Sequence, residues 1–171
     1  MVIGFDGSRA FGEERTGTEN YSYQLLKALL QIDKKNTYRV YVRSLPTTDY
    51  GLPQNAEFKV INWSRLWTQG GLALECLLNP PDVLFVPAHT MPVFRLPGLK
   101  TVVTIHDLGA EYLPQYHQFP QKYYLNWSTE YVAKHARRII AVSESTKSDL
   151  LIKLKCDGEK IRVVYEGTRV L

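Results

Sequence analysis

The chain has 171 residues, of which 44% are hydrophobic and 22% charged, with a net charge of +4. That is enough apolar material for one self-sufficient core, and too little charge of one sign to suggest a nucleic-acid partner. No apolar run approaches the roughly 18 residues of a membrane-spanning helix, and the chain opens into a strand without a charged and apolar leader, so a soluble, cytoplasmic protein is expected.

Val2–Asp6 predicts a first strand, followed by a polar, glycine-containing segment from Gly7 to Gly17 and then a helix. Thr16 and Glu19 stand at capping-box spacing, and Tyr21, Leu25, Ala28, Leu29 and Ile32 recur at helical period, which predicts one apolar face. A strand, glycine loop and helix in this order present backbone N–H groups at a helix start, an arrangement suited to anions. Gly17 serves equally well as a simple turn residue, and the local sequence leaves both roles open. Neither G-x-G-x-x-G nor G-x-x-x-x-G-K-[ST] occurs, which argues against a dinucleotide oxidoreductase and a P-loop ATPase.

Tyr38–Arg43 alternates as a second strand, Leu45–Asn55 reads as a surface loop, and Glu57–Ile61 as a third strand. The next stretch, Trp63–Leu78, predicts an amphipathic helix, weakened at Gly70-Gly71, whose Trp63, Leu66, Trp67, Leu74, Leu77 and Leu78 are expected in the core. Cys76 in this stretch and Cys156 further on lack metal or redox spacing and are expected as free thiols in a reducing compartment. Pro80-Pro81 end the helix before a fourth strand, Asp82–Val86. An irregular loop, Pro87–Pro97, then carries His89.

Thr101–His106 is an almost unbroken β-branched run, suited to a strand buried on both faces, and it stops at His106-Asp107. Leu108–Pro120 is irregular and carries Glu111. Gln121–Arg137 predicts a helix with Tyr124, Trp127, Tyr131 and Ala136 at helical spacing. A sixth strand, Arg138–Val142, leads to Ser143, which caps a helix through Lys155 with Thr146 as its third residue, and Ile161–Tyr165 closes the series.

Strands alternating with helical segments predict an α/β, Rossmann-like, doubly wound and mostly parallel seven-stranded sheet with helices on both faces. With the strand order 3-2-1-4-5-6, the switch point falls between the first and fourth strands. The Gly7–Gly17 loop, the His89 loop and the His106-Asp107 pair are then expected around one crevice at the carboxyl ends of the strands. A lone histidine at a strand end is ordinarily just solvated; this placement gives His106 its interest.

Five strings, in order along the chain, resemble the N-terminal domain of GT-B retaining glycosyltransferases of the large family 4, or group 1. They are Thr16-Gly17-Thr18-Glu19-Asn20-Tyr21 leading into Leu25–Leu29, Pro81-Asp82-Val83-Leu84 with Pro87, Val103–Leu108, Ile140–Lys147, and Glu159–Gly167. The resemblance implies an acceptor-side domain over residues 1–167, an interdomain linker beginning at 168–171, and a donor-binding domain that should follow. It also implies a nucleotide-sugar donor, a saccharide or lipid-linked acceptor, and a chain that by itself transfers no sugar.

By the same resemblance, His106 and Asp107 are the catalytic candidates and Gly17 and Thr18 approach the donor phosphates, although Thr18 stands where the family usually has a second glycine. His89, Glu111, Ser143 and Glu144 line the acceptor side of the cleft. Helix-start N–H groups stabilise a departing diphosphate without a divalent ion, so no metal or other cofactor is expected, and no general base is assigned. Peripheral contact with the inner membrane face, through the Trp63–Leu78 stretch and the positive charge, is a further expectation. Two rival readings are a non-catalytic module for phosphosugars or lipids, and a nucleotide-sugar epimerase of the same architecture.

Overall fold

The apolar, β-branched runs settle into parallel strands joined by helices. The computed structural model describes residues 1–12, 17–46, 51, 53–108 and 121–167, with the backbone alone for 121 and 122. Its elements are β1 (Val2–Asp6), α1 (Gly17–Ile32), β2 (Thr37–Val42), β3 (Ala56–Val60), a π-helical turn (Thr68–Leu72), α2 (Ala73–Leu78), β4 (Val83–Val86) and β5 (Lys100–Ile105). There follow α3 (Gln121–His135), β6 (Arg138–Ala141), α4 (Glu144–Ile152), a 3₁₀ turn (Gly158–Lys160) and β7 (Ile161–Val163). The seven strands run in the order β3-β2-β1-β4-β5-β6-β7, as the alternation of strand and helix predicts for a Rossmann-like fold.

The chain divides into two compact units, Met1–Pro87 with Met91–Thr101, and Ala88–Thr90 with Val102–Leu171. In the first, β1 pairs in parallel with both β2 and β4, and β2 with β3. Phe5, Leu26, Leu30, Tyr38, Val40 and Val42 form its core, with Leu25 and Leu29 packed against it. The buried line of α1 is therefore Ser22, Leu26 and Leu30, rotated from the expected face: Ala28 is exposed and Ile32 is 79% exposed. The small Ser22 permits the rotation, since its hydroxyl donates to the Thr18 carbonyl at 2.9 Å and so enters the core satisfied. Thr16, half of the expected capping box, lies outside the described residues.

The Trp63–Leu78 stretch is not one helix. Leu66 takes a left-handed φ of 50°, which no helix interior accommodates, and regular helix begins only at Ala73. The Trp63 ring lies so close over the glycine backbone that a Cβ on Gly70 would come within 2.5 Å of its Nε1. Of the six residues expected in the core only Trp67, at 2% exposure, joins it, beside the buried Leu72, Ala73 and Cys76; Trp63, Leu66, Leu74, Leu77 and Leu78 are all partly or largely open. The two cysteines are free, as expected, and both are buried.

In the second unit β5 pairs in parallel with β6, and β6 with β7. Val103, Thr104 and Ile105 are fully buried, as the β-branched run predicts. The core face of α3 is Ser128, Thr129, Val132 and Ala133. Its aromatic residues stack instead as a partly open ladder, with ring centroids 6.2 Å apart for Tyr124 and Trp127, 5.7 Å for Trp127 and Tyr131, and 4.4 Å for Tyr131 and His135. No described helix is long and apolar enough to cross a membrane.

Candidate functional site

The β5 ladder ends at Ile105, so His106 is the first residue released from the sheet, one residue earlier than the sequence pattern suggests. Its backbone stays anchored. The carbonyl of His106 accepts a hydrogen bond from Thr146 Oγ1 at 3.0 Å, and Thr146 is the third residue of α4. Ser143 caps that helix by accepting the Thr146 N–H at 3.0 Å, and its Oγ lies 2.9 Å from Thr146 Oγ1. The cap that the sequence marks at Ser143 thus also ties the start of α4 to the histidine's main chain.

The imidazole is held at Nδ1. Glu166 Oε1, on the segment after β7, lies 2.7 Å from it, with 11% of the His106 side chain and 47% of the Glu166 side chain exposed. A carboxylate only accepts, so Nδ1–H is the donor in this contact, an assignment that follows from the hydrogen-bond partner. The His89 ring meets His106 edge to face at 5.6 Å and 63°. The carbonyl of His89 in turn accepts from Ser128 Oγ, on α3, at 3.3 Å. Four separated segments therefore fix one ring and its neighbour.

The His89 and His106 rings are thus adjacent, as the loop placement predicts, and Ser143 is linked to the His106 carbonyl through Thr146. Asp107 and Glu144 are exposed, and Glu144 lies 4.0 Å from Lys147 in a solvent-facing pair. Glu111 lies outside the described residues. Gly17 and Thr18 belong to the first unit, at the start of α1, where a Cβ on Gly17 would meet nothing within 4 Å. The residue that sequence reasoning missed is Glu166; its only signal was membership of the Glu159–Gly167 string, 60 positions from its partner. Among the described residues no group of three His, Cys, Asp or Glu is placed to hold a metal ion.

A profile of Glycosyltransferase Family 4 matches residues 15–170, nearly the whole chain. The chain belongs to glycosyltransferase family 4. Among the relatives of this family 4 chain is the O-antigen chain mannosyltransferase RfbU of Salmonella typhimurium (strain LT2), 30% identical over 79 residues, which are 46% of this chain and 21% of RfbU. Among solved structures, WaaG, a glycosyltransferase involved in lipopolysaccharide biosynthesis, shares the fold with a TM-score of 0.65 over 95% of this chain at 13% identity. The chain spans 44% of the length of WaaG.

Proposed function

We propose that this chain is the acceptor-side domain of an enzyme that moves a sugar from a nucleotide-sugar donor to a saccharide or lipid-linked acceptor with retention of configuration. The observation that carries the reading is the His106–Glu166 pair, set at the carboxyl end of a buried strand in a family 4 chain. Such transfer develops positive charge on the sugar ring and negative charge on the leaving diphosphate, so positioned polar groups at each contribute most. His106, held at Nδ1 by Glu166, is assigned to a sugar hydroxyl, with Asp107 beside it. Gly17 and Thr18 offer backbone N–H groups to the diphosphate, which needs no metal. His89, Glu111, Ser143 and Glu144 are assigned to the acceptor side.

In this reading most donor contacts belong to a further domain, and the 171-residue chain alone is inactive. We place the enzyme in the cytoplasm, in keeping with its two unpaired thiols. Exposed Trp63, Leu66 and Leu78 support peripheral contact with the inner membrane face; failure to co-sediment with anionic liposomes at low salt would count against that part. The central test is His106→Ala in the complete protein. Turnover is expected to fall at least a hundredfold with the fold intact, and wild-type turnover would remove His106 from the site.

A further inference from the structure

The first unit holds a cavity whose described lining includes none of the residues given a role above. It has a volume of about 290 Å³ and opens where β1 and β2 end, between the Gly7–Gly12 segment and the Val42–Pro46 segment. This is the carboxyl-end side of the parallel strands, the side on which α/β sheets bind ligands, although the switch point itself lies between β1 and β4. A volume near the bottom of the ~300–1,000 Å³ range of small-molecule sites suits one monosaccharide-sized group.

Its lining is chemically specific. Arg43 is the only charged side chain among the described residues that line it. The guanidinium sits 5.5 Å from the centroid of the Trp67 ring, and Trp67 is itself fixed, buried and donating its indole N–H to the Ile61 carbonyl at 3.2 Å. A guanidinium seated on an aromatic face keeps its planar fork of donors free to meet a two-oxygen anion. Ser8 and Ser44 add hydroxyls, and Phe11 adds an apolar wall. That wall is rigid, since the Phe11 ring packs edge-on against Phe58 at 5.1 Å and Tyr23 at 6.2 Å.

Two other charges bear on the cavity. Asp6 lies behind Ser8, whose N–H it accepts at 3.1 Å. Burial pushes the Asp6 carboxyl above its ordinary value, against the pull of the Ser8 hydrogen bonds and of Arg9 and Arg43. Arg9 is exposed and adds positive charge nearby.

We propose that this cavity binds a monosaccharide carrying an anionic group, a phosphate or a carboxylate, with Arg43 as the partner of the anion and Phe11 against the sugar ring. The proposal deepens the transferase reading by assigning a second, charged sugar residue of the acceptor, and it rests on that reading for the word acceptor alone.

Titration of the 171-residue chain with glucose 6-phosphate, glucuronate and glucose, followed by ¹H–¹⁵N correlation spectra, tests it. Saturable shifts at Gly7, Ser8, Gly12 and Ser44 are expected for at least one charged sugar, at least tenfold tighter than for glucose; the tighter of the two identifies the anion. Arg43→Gln is expected to weaken that binding at least tenfold, while Arg43→Lys, with a point charge in place of the fork, retains part of it. Equal binding of glucose, no saturable shift, or an Arg43→Gln variant that binds like wild type would overturn the proposal. None of these results touches His106, whose role stands or falls on turnover.

Discussion

Glu166→Ala separates an imidazole that is positioned from one that merely sits near a carboxylate. A hydrogen bond to a charged group contributes about 1.5–3 kcal/mol where water is excluded. Here the carboxylate side chain is 47% exposed, which reduces the expected contribution to the ~0.2–1 kcal/mol of open ion pairs. That energy corresponds to a roughly 1.4- to 5-fold change in the ratio of the two neutral imidazole tautomers. It lowers the unfolding midpoint of a chain of this size by no more than about 4 °C.

The assay is long-range ¹H–¹⁵N correlation of the histidine rings at alkaline pH, run beside thermal unfolding. Glu166→Ala is expected to deplete the His106 Nδ1–H form, and Glu166→Gln, which keeps an acceptor oxygen, to restore part of it. An unchanged tautomer ratio in Glu166→Ala would refute the reasoning. A midpoint lowered far beyond 4 °C would show that the carboxylate supports the fold and not the ring.

Gly4→Ala is expected to cost about 1–3 kcal/mol in denaturant unfolding, because its Cβ would lie 2.7 Å from Tyr41 Cε2 and 2.9 Å from Pro81 Cγ; an unchanged midpoint would disprove the close contact. Asp6, whose carboxyl burial raises above the ordinary 3.8, binds its proton more readily in the folded state. Stability should therefore fall as pH rises from 3.8 through the folded value, and Asp6→Asn should flatten that part of the profile. Asp33 runs the other way: hydrogen bonds from the Asn36 side chain and the Lys35 N–H hold it down to about 2 from 3.8. Its stabilisation is complete above pH 3.8 and lost as pH falls through about 2, so Asp33→Asn should remove that acid-side loss, and an unaltered acid limb would contradict it. The Cys76 thiol, pushed up to about 12 chiefly by burial, should react with iodoacetamide at neutral pH only as fast as the chain unfolds; rapid labelling of the native protein would refute this.

How much of this was legible in the sequence follows from the range of the forces involved. The strand order was readable because β-branched runs such as Val102–Ile105 and turn signals such as Pro80-Pro81 are local, and right-handed crossovers leave few topologies for them. The Ser143 cap was readable for the same reason. The Trp63–Leu78 stretch was misread because hydrophobic period reports which residues favour burial, not whether the backbone continues as a helix. There the Trp63 ring closes over Gly70 and Gly71, and Leu66 turns left-handed. The α1 face was displaced because a hydrogen-bonded Ser22 occupies the core line, and a hydropathy pattern does not anticipate a serine whose hydroxyl is satisfied by its own helix.

Glu166 illustrates the deeper limit. Nothing local distinguishes it from any other exposed glutamate, and its pairing with His106 arises only once β5, β6 and β7 lie side by side and bring the segment after β7 to the end of β5. The same ordering explains why His106 is held twice. Its carbonyl is fixed by Thr146, in the first turn of the helix after β6, and its ring by Glu166, on the segment after β7. A parallel sheet delivers the ends of successive strands to one edge, so each strand beyond β5 can add a constraint to the same residue. Shifting the β6–β7 register by one residue would turn Glu166 to the other side of its segment. It would therefore release the ring while leaving the Thr146 anchor in place, so the geometry of the imidazole depends on the outermost strand more directly than the buried core of β5 does.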